Sequence, residues 1–269
     1  MKLRDKLVEH WPGLAGTLRA SCAIALALLA LSALSPAGAQ DSDNAADAAR
    51  YSLCLSKAQN SPQDGETMAR SWIAQNGGSA AGHCLAVSLI AQGRFEDAAE
   101  RLEILAHAAD ETNKALRADL LGQAGQAWIL ADRLDRAMEA QTRGLDVDPD
   151  NLELLIDRGL THASLEDYWS ALDDFNRAYD LAPGRPDLLT YRATAYRYLD
   201  VGVLALDNVN QALGIDPDNP EALLERGILR HAEGDNEGAR ADWEKAVRVA
   251  PKSPAGRASA QKLRIHFRD

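Results

Sequence analysis

Residues 168–183 read Tyr168-Trp-Ser-Ala171-Leu-Asp-Asp-Phe175-Asn-Arg-Ala178-Tyr-Asp-Leu-Ala-Pro183, and the phrase returns twice downstream. It comes back as Ala205-x-x-x-Val209-x-x-Ala212 through Pro217, then as Ala239-x-x-x-Trp243-x-x-Ala246 through Pro251. Upstream, Leu134-Asp-Arg-Ala137 runs through Leu145 to Pro149. Ala137, Ala171, Ala205 and Ala239 therefore lie 34 residues apart. A fixed period of this length signals stacked supersecondary units rather than one closed core. Such arrays present long surfaces to other molecules, and the chemistry, if any, usually belongs to the partner.

Each unit reads as two helices. Gly125, Gly159, Ala193 and Gly227 repeat with the same period in the first helix, where a small residue lets two backbones approach closely. The large residue four positions after the second-helix alanine fills the space beside it: Phe175, Val209 and Trp243. Unit 118–151 departs, with Gln141 at that place and its large aromatic, Trp128, on the first helix. Apolar residues at three- and four-residue spacing give every helix one hidden stripe. Pro149, Pro183, Pro217 and Pro251 fall just past the second helix, where a missing N–H does no harm. Pro186, Pro220 and Pro254 open the next helix in its first turn, with Asn219 and Ser253 placed to cap two of them.

This pattern resembles the tetratricopeptide repeat, a helix–turn–helix of 34 residues. The small residues of both helices and the closing proline match through units 118–151, 152–185, 186–219 and 220–253 without a gap. A fifth unit at 79–112 fits through Leu85, Ala86, Leu89, Gly93, Phe95, Ala98 and Leu102, with a polar insertion near Asp110–Lys114. The resemblance implies an all-α fold, an α-solenoid of stacked helix–turn–helix repeats wound as a right-handed superhelix. The domain reading is a leader over 1–39, a degenerate helix pair within 40–78, five repeats over 79–253, and a capping helix over 254–269. The degenerate pair, at 44–76, is expected to break at Ser61-Pro62-Gln63-Asp64-Gly65. Arg257, Lys262, Arg264 and Arg268 make one side of the last helix polar, as a terminal cap requires.

Residues 1–39 read as a targeting segment: Lys2, Arg4, Lys6 and Arg19, an apolar run from Ala20 to Leu34, and Ala37-Gly38-Ala39 as a small-x-small cleavage site before Gln40. The run is short for a membrane span. The expected location is the periplasm or the exterior after cleavage near Ala39/Gln40, with an uncleaved signal anchor as the alternative. Cys22 lies inside the run, so no lipid anchor is expected, and the leader has no paired arginines for twin-arginine export. Lys and Arg number 29 and Asp and Glu 40 in the whole chain, a formal charge of −11. Beyond residue 39 the counts are 25 and 38. That balance argues against nucleic acid and against adhesion to anionic lipid.

Cys54 and Cys84 remain after the leader, on the first helices of neighbouring pairs. Adjacent helices pack at roughly 8–10 Å, and in an oxidising compartment an even count suggests a bridge. Two buried thiols are the other reading. His83, His107, His162, His231 and His266 are scattered over different units, with no metal-ligand spacing. Motifs for nucleophilic hydrolysis, zinc proteolysis, phosphate loops and dinucleotide binding are missing. No enzyme, metal or cofactor is therefore expected.

Arg158, Arg192 and Arg226 recur one period apart, as do Asp174, Asn208 and Asp242. They read as pairs between the two helices of one unit, with an anion-binding arginine ladder as the alternative. In the resembled family the inner faces of the first helices form the binding wall. The matching positions include Asp119, Gln123, Glu153, Asp157, Asp187, Glu221 and Glu225, mostly acidic, so the family's lysine-rich clamp for acidic C-termini is missing. The expected partner site is Asp157, Thr190, Tyr191, Thr194, Arg197, Tyr198 and Glu225, holding an extended protein segment. The tyrosines have a second reading, as packing between helices. The function read from this is a non-catalytic scaffold or adaptor of the cell envelope; the alternative is an accessory subunit of an envelope enzyme such as a cell-wall hydrolase. The sequence leaves the oligomeric state open.

Overall fold

The computed structural model describes residues 40–267, with side chains from residue 46. The expectations for the leader, its cleavage site and Arg268 lie outside the described residues. Thirteen helices make up the described chain: α1 Gln40–Asn60, α2 Pro62–Ala74, α3 Gly78–Ala91, α4 Phe95–Ala108, α5 Lys114–Leu130, α6 Leu134–Val147 and α7 Leu152–Ser164. They continue as α8 Tyr168–Leu181, α9 Pro186–Tyr198, α10 Gly202–Ile215, α11 Pro220–Ala232, α12 Asn236–Val249 and α13 Pro254–His266. No strand occurs among the described residues. The described chain falls into two compact units that divide within α7, one ending at Leu154 and the other beginning at Leu155.

Helix ends follow from single residues. The side chains of Asn113, Asp167, Asn219, Asp235 and Ser253 each accept from a backbone N–H in the first turn of α5, α8, α11, α12 and α13. Pro62, Pro186, Pro220 and Pro254 sit in first turns, where proline costs no hydrogen bond. The expected break at 61–65 shrinks to Ser61 alone, because Pro62 starts α2 and Asp64 and Gly65 donate their N–H groups to the Ser61 carbonyl. Between the two helices of a repeat, one residue takes a left-handed conformation: Gly93, Asp132, Glu166, Asp200 and Gly234, with φ between 62° and 88°. There the chain reverses with the bond pattern of a Schellman turn, as in Arg133 N–H to the Trp128 carbonyl and Asp132 N–H to that of Ile129.

In the N-terminal unit, Cys54 of α1 and Cys84 of α3 are joined, with Cα atoms 6.1 Å apart. The bridge lies in a core of Leu55, Ala69, Leu85, Leu89 and Ala98. Beside it, the Tyr51 hydroxyl meets His83 Nδ1 at 2.7 Å and His83 Nε2 meets Gln123 Oε1 at 2.8 Å, tying α1, α3 and α5 together. Desolvation by burial pushes the His83 pKa below its ordinary value, against the hydrogen bond to Gln123. A second core gathers Leu102, Leu105, Leu120, Leu121 and Trp128.

The small residue of each first helix faces the large residue of the second. A Cβ built on Gly159 would stand 2.5 Å from the Phe175 ring, and one on Gly227 2.3 Å from Trp243. On Gly125 it would stand 2.8 Å from Gln141. Gln141 therefore fills the same slot as the aromatics. It is fully buried, and neither its amide nitrogen nor its oxygen has a hydrogen-bond partner.

Candidate partner-binding site

α8 and α9 run antiparallel about the turn at Pro183, so residues equidistant from that proline meet. Phe175 and Tyr191 are such a pair, with ring centroids 5.4 Å apart. Tyr168 and Tyr198 are another, stacked at 4.7 Å with 4° between planes. The Arg197 guanidinium lies 4.3 Å from the Tyr198 ring centroid. Its Nε donates to Glu225 Oε1 at 2.5 Å and its Nη2 to Oε2 at 3.3 Å, which ties α9 to α11. Burial works against the Arg197 charge, but the carboxylate and hydrogen bonds of Glu225 outweigh it and hold the pKa above its ordinary value.

The seven expected site residues divide into two groups. Thr190, Tyr191, Thr194 and Glu225 are buried, each less than a tenth exposed, and correct the expectation of an open wall at those positions. The Thr190 hydroxyl donates to the Pro186 carbonyl at 2.8 Å and that of Thr194 to the Thr190 carbonyl at 3.0 Å. A threonine inside a helix turns its hydroxyl back to the preceding turn when no other acceptor is in reach. Tyr191 packs on Phe175, and its pKa is raised by burial first and then by the charges of Asp187 and Glu221. Its packing reading holds. Asp157, Arg197 and Tyr198 keep partial exposure. Tyr168 was missed by sequence reasoning, yet its mirror position about Pro183 to Tyr198 was the available signal. Burial raises the Tyr168 pKa, helped by Tyr198 and Glu166.

The arginine–acid pairs form in two repeats. Arg158 Nη2 lies 2.7 Å from Asp174 Oδ1 and Arg226 Nη2 2.6 Å from Asp242 Oδ1, each with a second bond from Nε. Between them the pattern breaks. Asn208 gives its amide to the Leu204 carbonyl at 2.8 Å, and Arg192 lies 4.9 Å from the Tyr179 ring centroid. Neither the Asn208 Oδ1 nor the Arg192 Nε has a partner. An asparagine cannot offer the two equivalent oxygens that a guanidinium fork matches. Among the described residues, no group of three or more His, Cys, Asp or Glu side chains could hold a metal ion, and no helix is long and apolar enough to cross a membrane.

The family model for the tetratricopeptide repeat matches residues 125–195, from Gly125 of α5 into α9. Over these residues the chain matches the tetratricopeptide repeat. Solved structures agree at the level of the fold. MamA from Desulfovibrio magneticus RS-1, residues 41 to the end, superposes with a TM-score of 0.56 at 16% identity, covering 64% of this chain and 95% of that one. A crystal structure of MamA gives 0.55 at 16% identity over 71% of this chain and 96% of the other. A further MamA structure gives 0.54 at 18% identity, over 62% and 95%. No curated protein matches the sequence. A tetratricopeptide-repeat fold is a protein-interaction scaffold, typically non-catalytic, and its partners are proteins.

Proposed function

We propose that this tetratricopeptide-repeat chain is exported and works in the cell envelope as an adaptor, holding a segment of a partner protein against α9 and α11. The basic leader, apolar run and small-x-small site of residues 1–39 support export. The observation that carries the binding reading is the stacked Tyr168–Tyr198 pair with Arg197 against it, still partly open to solvent. Stacked tyrosines held by an arginine are rigid. They offer apolar contact and hydrogen bonding at little entropic cost, which is why Tyr and Arg dominate binding hot spots. Arg197 contributes through position rather than free charge, since Glu225 already neutralises it.

Crosslinking the protein in the envelope fraction and recovering its partner tests both parts. The captured chain should begin at or near Gln40. Tyr198→Ala should lose about 2 kcal/mol of binding, roughly thirtyfold, while helical content and melting temperature stay close to the parent's. A full-length chain found in the cytosol would refute export. Unchanged capture by the Tyr198→Ala protein would refute the site.

A further inference from the structure

The second residue of the second helix is acidic in three repeats: Glu96 in α4, Asp135 in α6 and Glu237 in α12. An acid there suits the positive end of the helix dipole. In α8 and α10 the place is taken by Trp169 and Val203, which are 64% and 81% exposed. Both helices pack on α9. Leu165, in the turn before α8, and Leu204, beside Val203, are also exposed, at 49% and 43%. These four apolar side chains lie at the entry to two successive second helices. None of them is used by the Tyr168–Tyr198 site.

Carboxylates surround this edge. Asp173 lies one helical turn beyond Trp169, and Asp207 one turn beyond Val203, so each pair shares a helix face. Glu166 and Asp200 hold the left-handed turn positions just ahead, where the repeats at 79–112 and 220–253 place Gly93 and Gly234. All four carboxylates are exposed. A left-handed backbone costs a non-glycine residue roughly 1–2 kcal/mol, so the acids stand where glycine would be easier.

We infer that the Leu165–Trp169–Val203–Leu204 edge docks the apolar face of a basic amphipathic helix from a partner protein. The exposed tryptophan supplies the anchor, since large aromatics dominate such contacts. The carboxylates on the same faces meet lysines or arginines flanking the partner's apolar stripe. This charge pattern selects against acidic helices and anionic lipid, and it steers basic ones.

The test measures fluorescence anisotropy of labelled 14-residue helical peptides that share one leucine pattern and carry lysine, serine or glutamate elsewhere. The lysine peptide should bind at least tenfold more tightly than the serine peptide, and the glutamate peptide should not bind. Trp169→Ser with Val203→Ser should weaken the lysine peptide at least tenfold with no change in melting temperature, since both side chains are exposed. Asp173→Asn with Asp207→Asn should bring the lysine peptide toward the serine one, and Ile104→Ser, exposed elsewhere, should change nothing. The inference fails if the three peptides bind alike, if the Trp169/Val203 variant binds the lysine peptide unchanged, or if that variant's only effect is to abolish self-association seen by sedimentation.

Discussion

The repeats at 118–151 and 220–253 are built on the same slot and fill it with opposite chemistry. In the second, Trp243 fills the space over Gly227 and its ring N–H donates to the Leu224 carbonyl at 3.2 Å. In the first, Gln141 occupies the space over Gly125 with both polar atoms unpaired and no exposure. The glycine sets the volume of the slot; it does not set the polarity. An amide of the right size fits, but it gives up its hydrogen bonds to water and gains none inside, at roughly 1–3 kcal/mol for each group left unmade. The N-terminal unit also has a covalent bridge, between α1 and α3.

The contrast is sharpest at Trp243. Replacing it by alanine should lower stability by about 3–5 kcal/mol, because a buried aromatic leaves both lost transfer energy and a cavity. Urea unfolding followed by circular dichroism would measure it. If Trp243→Ala costs no more than Gln141→Ala, the two slots are energetically alike and the comparison breaks. Next in size is the bridge. Cys54→Ser with Cys84→Ser should cost about 3.6 kcal/mol, the chain-entropy value for closing a loop of this length. Non-reducing peptide mapping and the unfolding midpoint with and without reductant check it.

Gln141→Met keeps the length of the side chain and removes its amide, so it should stabilise the protein by about 1–2 kcal/mol. The same swap in the opposite direction, Val209→Gln at the corresponding slot, should destabilise. A loss of stability in Gln141→Met would mean that the amide finds partners in solution. The smallest effect expected is a pH dependence from His83. Its folded pKa lies below the ordinary histidine value of about 6.5, so the unfolded chain binds the proton more readily. Stability from this residue is therefore full above about pH 6.5 and declines as the pH drops from there toward the folded pKa. Comparing melting temperatures at pH 7.5 and 5.5 for the parent and His83→Asn should show a steeper decline in the parent.

Much of this architecture could be read from the period, because each helix end has a local chemical cause. Asn219 and Ser253 cap as their types suggest, and the prolines sit where their missing N–H is harmless. The two full Arg–Asp pairs were legible for the same reason, as residues repeating in step on facing helices. The site was less legible. Thr190, Thr194, Tyr191 and Glu225 are on the expected helix faces, but period alone does not say how deeply neighbouring helices cover a face. For Thr190 and Thr194 the hydroxyls are spent on their own helix, and for Glu225 the charge is spent on Arg197. Tyr168 escaped because its partner lies in the next repeat, and reading unit by unit hides contacts between units. The Trp169–Val203 edge was hidden differently. It shows only when the same position is compared across all five repeats and two are found apolar and exposed.

The disulfide between α1 and α3 has a consequence for how the molecule comes apart. In stacked repeats every element is held by its immediate neighbours, so a helix opens as readily as those local contacts allow. In the C-terminal unit α13 has a Ser253 cap and packs on α11 and α12. In the N-terminal unit α1 is held to α3 by a covalent bond as well. Oxidation state thus sets how readily α1 and α2 fray. With the bridge closed, amide protons near α13 should exchange first; with it reduced, those of α1 and α2 should overtake them.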